Sequence, residues 1–122
     1  MDRTLTSTDL IVLVGYATAL AGGQVLFKFA ATQYPPTGSW TQRLLAVAFS
    51  PAFISAIILY AVLSAFWVWL LTTIPLSVAY PFVALSFVLT LLAGVLIFGE
   101  PFSARLLIGG ALIVSGLLVI TG

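Results

Sequence analysis

Residues 73–122 read TIPLSVAYPFVALSFVLTLLAGVLIFGEPFSARLLIGGALIVSGLLVITG. Two apolar runs, Leu76 to Phe98 and Leu106 to Ile120, flank the hinge Gly99-Glu100-Pro101-Phe102-Ser103. The first run can cross a hydrocarbon core of about 30 Å as a helix, and the second spans it when a residue or two of each flank joins in. Gly99 suits a left-handed helix end, Pro101 cannot continue the helix before it, and Ser103 can accept from the free N–H groups that begin the next one. So tight a turn makes the two helices antiparallel neighbours.

Outside this stretch the composition is as apolar as within it. Hydrophobic residues make up 62% of the 122 and charged residues 6%, whereas soluble domains carry about 25% charge. The mean hydropathy is +1.28, and such a chain belongs in a bilayer. There is no cysteine and no histidine, which removes disulfides, thiolate chemistry and a proton shuttle near neutral pH. No pair of neighbouring acids is available for acid-base work either, so neither an enzyme, a metal site nor a cofactor is expected. The basic residues Arg3, Lys28, Arg43 and Arg105 are too few to form a nucleic-acid surface.

Taken in order, the chain starts with a short polar segment in which Thr8 or Asp9 is expected to cap the first helix. The apolar run Leu10 to Ala31 is too long for a signal-peptide core and reads as a retained span. Ala17, Ala21, Gln24 and Lys28 fall on one stripe of it, small first, then polar, then cationic. Gly22 and Gly23 beside that stripe suggest close helix approach. The segment Gln33 to Ser39 is the first loop, and Ser39 caps a short helix, Trp40 to Phe49, read as lying at the membrane interface or else prolonging the second span. Ser50-Pro51 restarts the helix, and Tyr60, Ser64 and Trp67 share a stripe of it. Trp69 reads as an interfacial aromatic, and Trp67 as either that or a pocket wall.

The third span carries Tyr80-Pro81 about a turn from its start, where proline removes a backbone donor and predicts a kink. Ser86 and Thr90 continue a weakly polar face. In the fourth span Gly109 and Gly116 are seven apart, and Ala111 and Ser115 four apart, spacings that favour close packing against another helix. The expected architecture is an all-α membrane protein, one domain over residues 1–122, with four spans at about 10–31, 51–73, 76–98 and 104–121 and a short interfacial helix before the second. Four such helices leave little room for a polar path, which therefore calls for two chains. Lys28, Arg43 and Arg105 lie on the loop face against Arg3 on the terminal face, which puts the loops in the cytoplasm and both termini outside.

Lys28 has two readings. It can snorkel from near a helix end to the headgroups, or it can hold an anion. Gln24 one turn below it favours the second, since a glutamine facing lipid gains nothing. Glu100 and Arg105 are expected to pair with each other at the surface.

The segments Ile74-Pro75-Leu76-Ser77-Val78-Ala79-Tyr80-Pro81, Gly99-Glu100-Pro101 and Ile108 to Gly116 resemble the second half of drug/metabolite transporter superfamily members. The four-helix length is similar to that of the small multidrug resistance proteins. Ala21-Gly22-Gly23-Gln24-Val25-Leu26-Phe27-Lys28, followed by Ala30-Ala31, Ala79-Tyr80-Pro81 and Glu100-Pro101-Phe102-Ser103, is similar to the subunits of the aminoarabinose-phosphoundecaprenol flippase. The resemblance covers nearly the whole chain and rests on the order of motifs that are individually degenerate.

It implies movement of an undecaprenyl-phosphate-linked sugar across the bacterial inner membrane by a homodimer, or by a heterodimer with a paralogous subunit. Membrane lipid and the lipid-linked sugar phosphate are then the partners. Gln24 and Lys28 match the polar pair of the first helix, Tyr80 the substrate-side tyrosine of the small exporters, and Gly109 and Gly116 their dimer-contact glycines. The exporters carry a glutamate eight residues before the lysine, where this chain has Leu20. Proton-coupled export of cationic compounds needs a carboxylate within the membrane, and Asp2, Asp9 and Glu100 all sit at helix ends. An anionic phosphodiester calls instead for a cation and donors, expected from Lys28, Gln24, Tyr80, Ser86 and Thr90, with Trp67 as a pocket wall. A partner subunit that does not itself transport is the remaining alternative.

Overall fold

The computed structural model describes residues 5–121, so Asp2 and Arg3, which entered the acid inventory and the charge balance, lie outside the described residues. Five helices follow one another: α1 (Ser7–Ala31), α2 (Trp40–Ala48), α3 (Pro51–Leu71), α4 (Leu76–Leu96) and α5 (Ala104–Thr121). All but α2 are long and apolar enough to cross a membrane, and there is no strand among the described residues.

Each helix start has a local cause. The cap of α1 is Thr6 rather than Thr8 or Asp9: the Thr6 hydroxyl accepts from the Asp9 amide while the Asp9 carboxylate accepts from the Thr6 amide. Placed in the third helical position, Asp9 satisfies one free amide and receives a bond at another, which a cap at either residue alone would not achieve. Ser39 and Gln42 form the same reciprocal arrangement at α2. The Ser50 hydroxyl accepts from Phe53 with Pro51 in the first turn of α3, and Ser103 accepts from Leu106 at α5.

α4 is bent by Pro81. A regular turn, Leu76–Ala79, passes into a 3-10 turn, Tyr80–Phe82, and then into Val83–Leu96. Proline cannot donate to the carbonyl four residues back, and the tighter turn accommodates its ring. At the far end Gly99 adopts φ +64°, the left-handed conformation that reverses the chain into α5.

The spans pack as a row. α1 lies between α3 and α4, α5 packs on α4, and α3 and α5 make no extensive contact with each other. The core sits at one end of this row, that of the chain termini, where Leu13, Leu70, Ile74, Ala79, Phe82 and Leu117 are buried together. Tyr16, Phe66 and Trp67 pack against it. Most other large apolar side chains face outward, as lipid-facing residues do; Val119 is 81% exposed and Leu96 77%. On α2, Trp40, Leu44 and Leu45 are exposed, as is Phe49 just past its end, apolar surface suited to the headgroup boundary. Arg43 is drawn off that face, its Nε donating to the Pro35 carbonyl at 2.8 Å and its guanidinium 4.3 Å from the Tyr34 ring centroid.

Candidate functional site

The main buried cluster lies at the terminal end of the row, and toward the loop end the helices leave two cavities between them. Over α1 lies a cleft of about 600 Å³ lined by Leu20, Gln24, Tyr60, Ser86, Thr90 and Ile113 among others. Toward the loop end it adjoins a second cavity of about 320 Å³, lined by Gln24, Lys28, Thr90, Gly94, Phe98 and Glu100 among others. Gln24 and Thr90 belong to both. Polar groups thus run in sequence from the middle of the helices to the loop face.

The α1 stripe explains half of that wall. Ala17 and Ala21 are buried, which lets α1 sit between its neighbours, while Gln24 and Lys28, further along, are exposed to the cleft. Gln24 Nε2 donates to the Tyr60 hydroxyl at 2.9 Å, and that hydroxyl donates to the Leu20 carbonyl at 3.0 Å. Gly23 makes this approach possible, since a Cβ there would stand 2.6 Å from the Tyr60 ring. Phe27 completes the seat, stacked on Tyr60 at 5.3 Å.

At the mouth, Lys28 Nζ is 3.4 Å from Glu100 Oε2 and 6.0 Å from the centroid of Phe98. The expected pairing of Glu100 with Arg105 is therefore replaced by one with Lys28. The physical reason is the reversal at Gly99. It brings the Glu100 amide back to the Gly94 carbonyl at 3.1 Å and turns the residue toward α1 instead of along α5.

Ser86 is buried and Thr90 half-buried, and their hydroxyls donate to the carbonyls of Val83 and Ser86 within their own helix. Their protons are thus committed, and both expose oxygen lone pairs rather than the donors anticipated. Tyr80 and Trp67 stand apart from this group, toward the terminal end. Tyr80 is 60% exposed with its ring 6.3 Å from Trp67, and Trp67 stacks on Tyr16 at 5.1 Å beside the core. Neither lines the two cavities.

Tyr60, Glu100, Gly23 and Gly94 complete the constellation and were not singled out as site residues in the sequence. The stripe Tyr60-Ser64-Trp67 carried a signal for the first, but Ser64 turns back to the Tyr60 carbonyl and Trp67 joins the core. Gly109 and Gly116 point into open space, whereas Gly110 is buried beside α4. Ala111 and Ser115 lie on roughly the opposite side of α5 from Gly109 and Gly116, where they line an apolar groove of about 390 Å³ against α4. No group of metal-ligating side chains occurs among the described residues.

A model described as the EamA-like transporter family matches residues 1–122. A protein of Aeromonas salmonicida (strain A449), named "Probable 4-amino-4-deoxy-L-arabinose-phosphoundecaprenol flippase subunit ArnE", is 33% identical over 116 residues, covering 93% of this chain and 97% of the relative. The protein of the same name from Serratia proteamaculans (strain 568) is 39% identical over 116 residues, 92% of either chain. A protein of Erwinia tasmaniensis named "Probable 4-amino-4-deoxy-L-arabinose-phosphoundecaprenol flippase subunit ArnF" is 35% identical over 117 residues, 91% of this chain and 92% of the relative. No solved structure matches the chain.

Proposed function

This chain belongs to the EamA-like transporter family and is a multi-pass protein of the bacterial inner membrane, and from that premise we propose that it moves an undecaprenyl-phosphate-linked sugar across that membrane as one half of a two-chain assembly. The observation that carries this reading is the placement of Lys28, a cation at the mouth of a largely apolar cleft whose wall carries Gln24, Tyr60, Ser86 and Thr90, among helices that otherwise face lipid. A phosphodiester cannot enter low dielectric unpaired, because an isolated charge there costs far more than any hydrogen bond returns. Lys28 meets the phosphate at headgroup level on a flexible stem, the headgroup enters the cleft beside Gln24 and Thr90, and the prenyl tail remains in lipid. Tyr80, toward the opposite membrane face, receives the headgroup at the end of its passage.

The second chain supplies the wall the row lacks. α3 and α5 leave the cleft open between them, and the relatives' names speak of two kinds of subunit, ArnE and ArnF. The partner is a second copy or a paralogue, and the outward Gly109 and Gly116 suit its close approach. With the loops in the cytoplasm, the cleft opens toward the cytoplasmic leaflet.

Export of cationic compounds fits less well. Leu20 is apolar where the exporters have a carboxylate, and Glu100, the acid that lines the smaller cavity at the mouth, is already neutralised by Lys28. The deciding experiment is translocation of a labelled polyprenyl-phosphate sugar in proteoliposomes. Lys28→Ala is expected to abolish it with expression and assembly intact, Lys28→Arg to retain part of it, and Leu20→Glu to confer no drug resistance. Normal flipping by Lys28→Ala would leave Lys28 a snorkelling lysine and sink the proposal.

A further inference from the structure

We infer that Tyr60 fixes Gln24 as a hydrogen-bond acceptor facing the cleft, so that Gln24 selects headgroups carrying hydroxyl or ammonium donors; this rests on the reading of the cleft as a prenyl-phosphate site. The Tyr60 hydroxyl has one proton, and it goes to the Leu20 carbonyl at 3.0 Å. The 2.9 Å contact between the same hydroxyl and Gln24 must then be donated by the amide nitrogen, since the phenol has no second proton to give to the amide oxygen. With Nε2 turned to Tyr60, Oε1 at the other corner of the planar amide is turned away from the phenol. No donor among the described residues reaches it.

The surroundings repeat the pattern. Thr90 and Ser86 have committed their protons to helix carbonyls and present lone pairs, and Glu100 adds a carboxylate at the mouth. Apart from the ammonium of Lys28, the polar lining is therefore weighted toward acceptors, from the mouth to the middle of the helices. A bare phosphate gains nothing from such a wall beyond Lys28. A sugar, whose hydroxyls or amino group donate, is matched along its length. Tyr60 is the positioning residue in this scheme, held by its stacking on Phe27 and by the missing side chain of Gly23.

The test compares two diesters with the same tail and charge, undecaprenyl hexosyl phosphate and undecaprenyl methyl phosphate, bound to the purified protein in nanodiscs. Wild type is expected to favour the sugar lipid about fivefold, the scale of one net hydrogen bond. Tyr60→Phe keeps the ring over Gly23 but releases the amide, and the preference should fall toward unity; Gln24→Leu should give the same result by removing the acceptor. A merely structural role for Tyr60 would weaken both lipids together and leave the ratio intact, and a ratio preserved in both variants overturns the inference. Wild-type binding of both diesters no tighter than of uncharged undecaprenol would instead refute the phosphate reading, and this inference with it.

Discussion

Lys28 Nζ and Glu100 Oε2 stand 3.4 Å apart across the mouth of the cleft, joining the last turn of α1 to the hinge between α4 and α5. Glu100 is held there twice over. Its amide donates to the Gly94 carbonyl, and its carboxylate folds over Gly94, where a Cβ would lie 2.5 Å from Oε1. Both side chains are about half exposed, 50% and 49%, so the pair contributes roughly 1 kcal/mol or less. An attraction of that size is weak enough to yield to the lipid phosphate proposed above.

Replacing Glu100 by Gln should therefore leave folding nearly unchanged and tighten undecaprenyl phosphate binding by about threefold, because a competing anion is gone. Gly94→Ala should act in the same direction by displacing the carboxylate. Native mass spectrometry with titrated lipid reads both variants. Weaker binding by Glu100→Gln would mean that the carboxylate helps hold the ligand rather than competing with it.

Two adjacent glycines should behave oppositely. Alanine at Gly23 collides with the Tyr60 ring and is expected to cost about 1–3 kcal/mol, as overpacking does, together with transport. At Gly22 nothing lies within 4 Å of a new Cβ, and alanine should stabilise α1 by about 0.5–1 kcal/mol through helix propensity. Thermal unfolding in mild detergent compares the two. Equal midpoints would show that Tyr60 can vacate its seat at no cost.

A Cβ at Gly109 or Gly116 has no atom of the chain within 4 Å, so leucine there should leave monomer stability nearly unchanged while assembly fails. Cross-linking in native membranes measures the dimer fraction. Since Ala111 and Ser115 occupy the other side of α5, Ala111→Leu tests that side separately. A dimer that survives leucine at both glycines would move the interface elsewhere.

Both termini are expected outside the cytoplasm, from the three cations that the fold gathers at the loop end, Lys28, Arg43 and Arg105. C-terminal fusions to a reporter active only in the periplasm should be active, and to one active only in the cytoplasm silent. Strong signal from both would reveal insertion in two orientations, with an antiparallel pair as the natural assembly.

What could be read from the sequence was local. Span number, the reversal at Gly99, the Ser39, Ser50 and Ser103 caps and the bend at Pro81 each depend on residues within a turn of one another. The site depends on helix azimuth, which an almost uniformly apolar helix does not encode: with lipid on one side and protein on the other, both faces of α3 look alike. Hence Tyr60, 36 positions from Gln24, could not be assigned to it, and Trp67 shared its stripe while belonging to a different neighbourhood. Glu100 misled for a related reason, since closeness to Arg105 along the chain says nothing once a left-handed residue turns the backbone.

The core's position at the terminal end would let α1 act as a lever in the proposed transport. From Leu13 to its end at Ala31 α1 is about 27 Å long, so a tilt of roughly 5° about Leu13 and its buried neighbours would displace the far end by about 2.4 Å, close to half a pyranose ring. Little repacking at the fulcrum is needed for such a swing, because the pivot residues barely translate. In the proposed transport, throughput would then depend on the cavity's width at its far rim, and substitutions that soften the fulcrum, Leu13→Ala or Phe82→Ala, would slow lipid translocation in proteoliposomes without touching a single polar group.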